Sequence, residues 1–218
     1  VPEVLHCAAD TSFAERKREQ VETTNLQGLQ NVFDVVPQCE RFFHMSSAYS
    51  AGKQEGLIKE EMQHPEAYHN PYEKSKNEAE DLITDLCREK GSDLTIFRPS
   101  ITYGDAVTGK SLRFNALYFP IRTLLFLRDS LKKDILERSG KRAAGLGVSI
   151  NESGRLHLPL TFPGNGRLNL VPINYLVKAV IAIMDSGETG IFHIINPKSD
   201  TVEQIVKKIE RHYSISGL

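Results

Sequence analysis

The chain has 218 residues, a formal net charge of −1 and an apolar fraction of 40%, an ordinary composition for a folded globular domain. This charge balance excludes the basic surface of a nucleic-acid-binding protein, and no apolar run is long enough to predict a membrane-spanning helix. The three isolated cysteines lack the spacing of metal ligands, so we predict no metal site and a reducing, cytoplasmic location.

Strand patterns and helix patterns alternate along the first half of the chain. The predicted elements are a buried strand at residues 1–9, a long helix at 15–36, a strand at 41–45, an irregular polar stretch at 52–70, a helix ending at Gly91 and a strand at 94–97. This alternation is typical of α/β proteins. We therefore predict a doubly wound parallel sheet.

The stretch that begins at Asn70 has the features of a helix N-terminus. Asn70 suits the cap, Pro71 suits the first turn, and Glu73 stands at the capping-box position. Tyr72 and Lys76 are four residues apart and therefore share one face of the helix. The same face continues with four apolar residues, Ala79, Leu82, Ile83 and Leu86.

A phenol and an ammonium side by side have the chemistry of a proton donor for carbonyl reduction. A free tyrosine has a pKa near ~10, and a neighbouring ammonium favours the phenolate and lowers that pKa. We expect Tyr72 to give or take a proton at a carbonyl or alcohol oxygen. Because Tyr and Lys also occur at this spacing by chance, the pair alone does not identify a catalytic site.

The second half of the chain contains further predicted helices, a loop and one strand. Residues 112–136 are apolar with basic punctuation, a pattern that fits either a core helix or a segment over a substrate. The further predictions are a flexible loop at residues 139–147, a helix at 174–184, a buried strand at 191–195 and an amphipathic helix whose start is flanked by Asp200 and Glu203.

Several segments, in chain order, resemble the extended short-chain dehydrogenases/reductases. They are His6–Ala9, Asn25–Gly28, Ser46–Tyr49, Tyr72-x-x-x-Lys76, Arg98–Gly104 and Asn169–Tyr175. Three features are more similar to the fatty acyl-CoA reductase/thioester reductase branch than to the epimerases: Arg98-Pro99-Ser100, the run at residues 163–172 and the apolar segment at 114–127.

The resemblance implies a role for each matching residue. Tyr72 is expected to donate a proton to the substrate oxygen, Lys76 to lower the Tyr72 pKa and bind the nicotinamide ribose, and Ser47 to bond the substrate oxygen. The cofactor, NADP or NAD with NADP preferred, is expected to contact Ala8, Ala9, Ser46, Tyr72, Lys76, Pro99, Ser100 and Ile101. Asn25, His6 and His44 are expected to be structural, with Asn25 bracing the site and the histidines satisfying strand ends.

The resemblance also implies how the chain is organised. Residues 1–110 are expected to form an incomplete NAD(P)-binding Rossmann domain, and residues 111–218 mostly a small C-terminal substrate-binding region, with residues 169–195 returning to the Rossmann sheet. The family begins with a glycine-rich strand–turn–helix that is not in this sequence. We therefore expect that about 60 residues of βαβ structure are missing before Val1. A homodimer through the helices that carry Tyr72 and Asn25 is a further expectation.

We predict an NAD(P)-dependent oxidoreductase that transfers hydride to an apolar carbonyl or acyl thioester as its small-molecule substrate. The alternatives are a sugar-nucleotide epimerase/dehydratase or steroid-type dehydrogenase of the same superfamily, a non-catalytic NAD(P)-binding scaffold, and a P-loop NTPase. The last rests on residues 104–111, which fit G-x-x-x-x-G-K-S. Against it, Pro99 is expected to end the preceding strand several residues earlier, and Pro120 interrupts the following segment.

Overall fold

The computed structural model describes residues 2–36, 39–112, 117–161 and 166–218. The chain divides into two compact units, one formed by Val1–Thr102 and Val171–Asn196 and the other by Tyr103–Leu170 and Pro197–Leu218. The first division therefore comes after Thr102, where the sequence suggested residue 110. Residues 114–116 of the predicted apolar segment and 163–165 of the predicted run before Pro172 lie outside the described residues.

The described secondary structure follows one order along the chain. It comprises β1 (Glu3–His6), a 3₁₀ turn (Glu15–Lys17), α1 (Arg18–Glu22), a π-helical turn (Thr23–Gln27), α2 (Gly28–Asp34), β2 (Arg41–Met45), a 3₁₀ turn (Ala48–Ala51), α3 (Pro71–Lys90), β3 (Asp93–Pro99), β4 (Ile101–Tyr103), α4 (Tyr118–Glu137), α5 (Lys141–Gly145), β5 (Ser149–Ile150), β6 (Leu156–His157), β7 (Arg167–Leu168), β8 (Leu170–Pro172), α6 (Ile173–Ser186), β9 (Gly190–Ile194), β10 (Asp200–Thr201), α7 (Val202–Tyr213) and β11 (Ile215–Ser216).

The first unit is built on a four-stranded sheet in the order β1-β2-β3-β9, and each neighbouring pair of strands is parallel. Phe42 and Phe43 are consecutive in β2 and therefore point to opposite faces. Phe42 packs with residues of α2 and α3, and Phe43 packs with residues of β3 and α6. Helices thus cover both faces, and the predicted doubly wound parallel sheet is confirmed.

The helix α3 begins and ends where its sequence predicts. The Asn70 side chain accepts a hydrogen bond from the Glu73 backbone N–H at 3.0 Å, and Pro71 lies in the first turn. Gly91 ends the helix with a φ of 69°, a left-handed conformation that favours glycine. Between these ends, α3 packs Ala79 and Ile83 against Phe42.

The structure modifies two predictions near the start of the chain. The helix predicted over residues 15–36 is continuous from Glu15 to Asp34, but it begins with a 3₁₀ turn and contains a π-helical turn at Thr23–Gln27 between α1 and α2. The buried strand predicted at residues 1–9 is β1, whose Leu5 side chain is 43% exposed. The reason is that β1 lies at one end of the four-strand order, so the described strands cover it on one side only.

The second unit has its own apolar core. The core residues come from α4, α5, the β5–β6 region and β11, and they are Leu124, Leu131, Ala143, Val148, Leu156, Leu158 and Ile215. The flexible loop predicted over residues 139–147 instead contains α5, because Ala143 is buried there and its backbone N–H donates to the Asp134 carboxylate at 3.0 Å. The helix α7 has a capping box formed by Thr201 and Gln204, and the N-cap Thr201 lies between Asp200 and Glu203, the two acidic residues expected to flank the start of the helix. In the part of the chain that the structure describes, no helix is both long and apolar enough to cross a membrane.

Candidate active site

Three side chains of α3 form a row at four-residue intervals. Tyr72 is partly buried, whereas Lys76 and Glu80 are buried, one and two turns further along the same face. The Lys76 ammonium donates a hydrogen bond to the Met45 carbonyl at 2.8 Å, which brings it to the carboxyl end of β2. This end of a parallel sheet is where α/β proteins bind their ligands.

The electrostatic surroundings of Lys76 reach both β1 and β2. Burial lowers the pKa of Lys76 to about 8, and the Glu80 carboxylate and the Cys7 thiol act in the opposite direction. The Lys76 charge in turn adds to burial in lowering the pKa of His6 and of His44. Lys76 is therefore a buried amine that loses its positive charge at mildly alkaline pH, and it lies near the carboxyl ends of β1 and β2.

The Tyr72 phenol interacts with Ser47 rather than with Lys76. Burial raises the pKa of Tyr72, a hydrogen bond with the Ser47 hydroxyl partly offsets that effect, and Tyr49 raises the pKa further. This differs from the expectation that Lys76 lowers the Tyr72 pKa. The physical reason is that the Lys76 ammonium is directed to the Met45 carbonyl, so the phenol is governed by its own burial.

The two serines after β2 face different partners. The Ser47 hydroxyl accepts a hydrogen bond from the Tyr49 backbone N–H at 3.2 Å and also reaches Tyr72. The neighbouring Ser46 hydroxyl donates to the Glu80 carboxylate. Both serines are buried, and their opposite directions follow from the extended backbone at Ser47.

A buried ion pair between Arg98 and Glu80 lies next to Ser46. The Arg98 guanidinium makes two hydrogen bonds to the Glu80 carboxylate, Nε to Oε1 at 2.9 Å and Nη2 to Oε2 at 2.5 Å. The Arg98 and Glu80 side chains are 1% and 0% exposed. Sequence reasoning assigned Glu80 no role and used Arg98 only for the resemblance. The available signal was the four-residue spacing that continues from Lys76 to Glu80.

Asn25 joins the loop after β1 to the helix α3. Its side-chain amide donates to Ser75 Oγ at 2.8 Å and to the Asp10 carbonyl at 3.0 Å, and its oxygen accepts from the Asp10 backbone N–H at 2.7 Å. Asn25 lies in the π-helical turn, a feature that recurs at functional sites. These contacts fit the expected bracing role.

Phe13 is an aromatic side chain beside the phenol that the sequence did not single out. Its ring centroid lies 5.6 Å from that of Tyr72 and 6.1 Å from that of Tyr49. Phe13 is nevertheless 53% exposed. An exposed ring against a partly buried phenol presents apolar surface to any substrate that approaches the Tyr72 hydroxyl.

The predicted cofactor residues lie in the first unit, and most of them follow a strand of its parallel sheet. Ala8 and Ala9 follow β1, Ser46 follows β2, and Pro99 ends β3. Next to Pro99, the Ser100 hydroxyl is buried and has no hydrogen-bond partner among the described residues. Such an unpaired buried hydroxyl fits a polar ligand group at this strand end. Ile101, the last predicted cofactor residue, begins β4.

The histidines at the strand ends do not bond as expected. The His6 and His44 rings stack with centroids 5.6 Å apart, and within the described residues His6 Nδ1 and both His44 ring nitrogens lack a hydrogen-bond partner. Burial lowers the pKa of each ring, most strongly for His44. The two imidazole rings are therefore uncharged at neutral pH and pack against each other close to Lys76.

The P-loop-like stretch folds on itself. The Asp105 carboxylate accepts from the backbone N–H groups of Val107 and Thr108 at 2.9 and 2.7 Å, and the Asp105 carbonyl accepts from Gly109 at 2.9 Å. A phosphate loop needs such N–H groups for its ligand. The short strand β4 ends directly before Gly104, so the expected gap between strand and loop is wrong, but these bonds argue against the NTPase independently.

A family comparison and a comparison of sequences give different outcomes. The profile of an NAD-binding family described as male sterility protein matches residues 1–180. No curated protein matches the chain significantly.

Solved structures with a similar fold cover almost the whole chain. UDP-glucuronic acid 4-epimerase from Bacillus cereus, in complex with NAD, has 15% identity and a TM-score of 0.69 over 99% of this chain and 61% of that chain. RMD from Pseudomonas aeruginosa, complexed with NADPH, has 17% identity and a TM-score of 0.66 over 98% and 66%. The terminal R domain from the myxalamid PKS-NRPS biosynthetic pathway has 17% identity and a TM-score of 0.68 over 95% and 46%. These identities establish the fold alone, and the chain spans 61% of the first structure's length.

Proposed function

The chain belongs to the male sterility protein family of NAD-binding proteins and has the fold of extended short-chain dehydrogenases/reductases, and from this premise we propose that the protein reduces an apolar carbonyl or acyl thioester with NADPH or NADH. One observation carries the proposal. The Ser47 hydroxyl and the Tyr72 phenol interact at the same strand end to which Lys76 is anchored.

Each side chain has a distinct task in the proposed reaction. The raised pKa of Tyr72 keeps its phenol protonated at neutral pH, as a proton donor to a carbonyl oxygen must be. Ser47, whose hydroxyl interacts with the phenol, is the second group to bind that oxygen. Lys76 contributes a positive charge nearby, which stabilises the negative charge that develops as the carbonyl is reduced.

The residues at the strand ends are proposed to hold the nicotinamide cofactor. Lys76 would bind the nicotinamide ribose, and Ala8, Ala9, Ser46, Pro99, Ser100 and Ile101 would line the cofactor. The unpaired Ser100 hydroxyl supports this assignment. When bound, the cofactor supplies the hydride. A homodimer remains a proposal that rests on the resemblance, and a cytoplasmic location remains one that rests on the sparse, isolated cysteines.

The apolar class of substrate is supported by Phe13. The exposed Phe13 ring packs against Tyr72 and extends the aromatic surface toward Tyr49. An acyl chain that passes over this surface would bury apolar area beside the reacting oxygen, which stabilises binding by about 25 cal/mol per Å². A strongly polar substrate gains nothing from the same surface.

The second candidate is a sugar-nucleotide epimerase, favoured by the fold likeness to UDP-sugar 4-epimerases. The two reactions differ in what happens to the nicotinamide cofactor. A reductase consumes one reduced cofactor for each carbonyl reduced, whereas an epimerase oxidises and then reduces the same substrate, with no net change in the cofactor.

The test is a cofactor balance on the full-length protein. Purified protein is incubated with NADPH or NADH and either a long-chain acyl-CoA thioester or a UDP-sugar, and both cofactor absorbance and products are followed. We expect the reduced cofactor to be consumed only with the acyl thioester. One reduced cofactor breaks the C–S bond and gives an aldehyde and free CoA thiol, and a second one would reduce the aldehyde to an alcohol. Conversion of the UDP-sugar without net cofactor change would establish the epimerase instead.

A further inference from the structure

We propose that Glu80 is a positioning residue of this site: with Arg98 it anchors the segment that carries Ser47, and it stands as the counter-charge one helical turn from Lys76. The inference rests on the proposed function for its meaning, since Ser47 and Lys76 are the groups positioned. All of the residues involved lie in the first unit.

The anchoring is a chain of three contacts. Glu80 on α3 is held by two hydrogen bonds from Arg98 on β3, and Ser46 donates to the same carboxylate from the end of β2. Arg98 also donates to the Glu61 carbonyl at 3.0 Å. One carboxylate therefore ties α3 to two adjacent strands immediately beside Ser47, whose hydroxyl must meet the Tyr72 phenol.

The counter-charge acts on a buried amine in a weakly charged setting. The titratable groups that interact with Lys76 in the described residues are the His6 ring and the Cys7 thiol at the end of β1, the His44 ring on β2 and Glu80 on its own helix. Burial lowers the pKa of Lys76, and Glu80 acts in the opposite direction more strongly than Cys7 does. Its carboxylate favours the ammonium form that the reaction requires.

The energetic cost of this pair supports a role beyond stability. Removing two charges from water is expensive, and well-packed apolar residues often replace a buried ion pair without loss of stability. An ion pair at 1% and 0% exposure is therefore weak evidence for stability by itself. Glu80 contacts Ser46, the residue before Ser47, and also acts on the charge of Lys76. A residue that positions both groups needs these two interactions.

The test follows Lys76 directly, so that it does not depend on any substrate. Full-length protein with ¹³C-labelled lysine is titrated by NMR, and the Lys76 signal is assigned from its disappearance in Lys76→Arg. In Glu80→Gln we expect the Lys76 titration to move to lower pH by roughly one unit, because a nearby negative charge is lost. If turnover is measurable, its alkaline decline should move by the same amount.

Further variants keep the outcome decisive when Glu80→Gln leaves Arg98 unpaired. The double variant Glu80→Gln/Arg98→Gln removes both buried charges, and it should shift the Lys76 titration in the same direction. Glu80→Asp, which keeps the charge, should restore a titration close to that of the wild type. Glu73→Gln is the matched control, because Glu73 is another buried carboxylate of α3 that is not among the charges acting on Lys76.

Three results would overturn the proposal. One is a Lys76 titration that stays in place in the folded Glu80→Gln or double variant. Another is an equal shift in Glu73→Gln. The third is loss of folding in both Glu80→Gln and Glu80→Gln/Arg98→Gln, which would mean that the ion pair serves only to stabilise the fold. An absence of acyl-thioester reduction would contradict the proposed function but would leave the Lys76 measurement intact, so the two failures are distinguishable.

Discussion

At the scale of single residues, the account depends on the ionisation of Lys76. The amine is buried, is bonded to the Met45 carbonyl and has a pKa lowered to about 8. A lysine in water has a pKa near ~10.4. The cost of burying the charge is therefore fully present below pH 8, where Lys76 is protonated in both the folded and the unfolded protein, and it is relieved as the pH rises from about 8 toward ~10.4.

This ionisation predicts opposite effects of pH on activity and on stability. Turnover should fall as the pH rises through about 8, because the ammonium is lost there. The contribution of Lys76 to the free energy of unfolding should rise over the same interval. A pH–rate profile recorded beside urea unfolding curves checks both, with the difference between wild type and Lys76→Ala isolating the Lys76 contribution to stability. Turnover that stays constant from pH 7 to pH 10 would contradict the role given to Lys76.

Replacing Lys76 by alanine should damage two quantities together. Both turnover and cofactor affinity should fall, because the proposed ammonium serves the reacting oxygen and the nicotinamide ribose. The affinity is measured by fluorescence titration with NADPH. Lys74→Ala is the matched control, since Lys74 lies on the same helix but pairs with Glu22 and Glu78 at the surface. Unchanged NADPH affinity in Lys76→Ala would remove the ribose contact from the account.

Truncating Phe13 should weaken substrate binding more than chemistry. We expect Phe13→Ala to raise KM for a long-chain acyl thioester by roughly tenfold, with a smaller change in kcat, because apolar contact is lost beside Tyr72. Steady-state kinetics with long-chain and short-chain thioesters provide the measurement. Leu57→Ala, at a side chain that is 88% exposed, serves as the control. An equal effect on both chain lengths would argue against contact with the acyl chain.

At the scale of elements, α3 was the most predictable part because its signals are local. The cap at Asn70, the proline after it and the left-handed Gly91 act within one or two turns, so their sequence pattern is sufficient. The same logic failed at residues 139–147. There, α5 forms because Ala143 enters the core of the second unit and its backbone N–H donates to the Asp134 carboxylate, and the pattern of residues 139–147 by itself shows neither contact.

The N-cap predicts a measurable contribution to stability. Asn70→Ala should reduce the free energy of unfolding by about 1 kcal/mol, because the first turn of α3 loses its side-chain acceptor. Urea unfolding gives the value, and Asn31→Ala on the exposed surface of α2 is the control. An unfolding midpoint equal to that of the wild type would mean that Asn70 does not act as the cap in solution.

The pairing of Glu80 with Arg98 shows where element-level prediction ends. The two residues lie on α3 and β3, and their contact depends on how the helix packs on the sheet and on the register of β3 against β2. A sequence pattern can place Glu80 on the face of Tyr72 and Lys76, but it cannot show which strand supplies the opposite charge. For the same reason the contact between Phe13 and Tyr72 was not foreseen.

At the scale of the whole molecule, the alternation of strands and helices was enough to predict a doubly wound parallel sheet. The strand order β1-β2-β3-β9 brings the ends of β1 and β2 and the start of α3 together, so that residues far apart in sequence form one site. The exposure of β1 was not predictable, because an apolar run reads the same at the end of a sheet as at its centre.

The most direct test of the account compares two tyrosine variants of the full-length protein. Tyr72→Phe removes the proposed proton donor, whereas Tyr213→Phe makes the same change at a partly buried side chain that packs against the core of the second unit. We expect Tyr72→Phe to abolish acyl-thioester-dependent oxidation of NADPH while its NADPH affinity stays near that of the wild type, and Tyr213→Phe to remain active. Turnover retained in Tyr72→Phe would contradict the central claim that this phenol donates the proton.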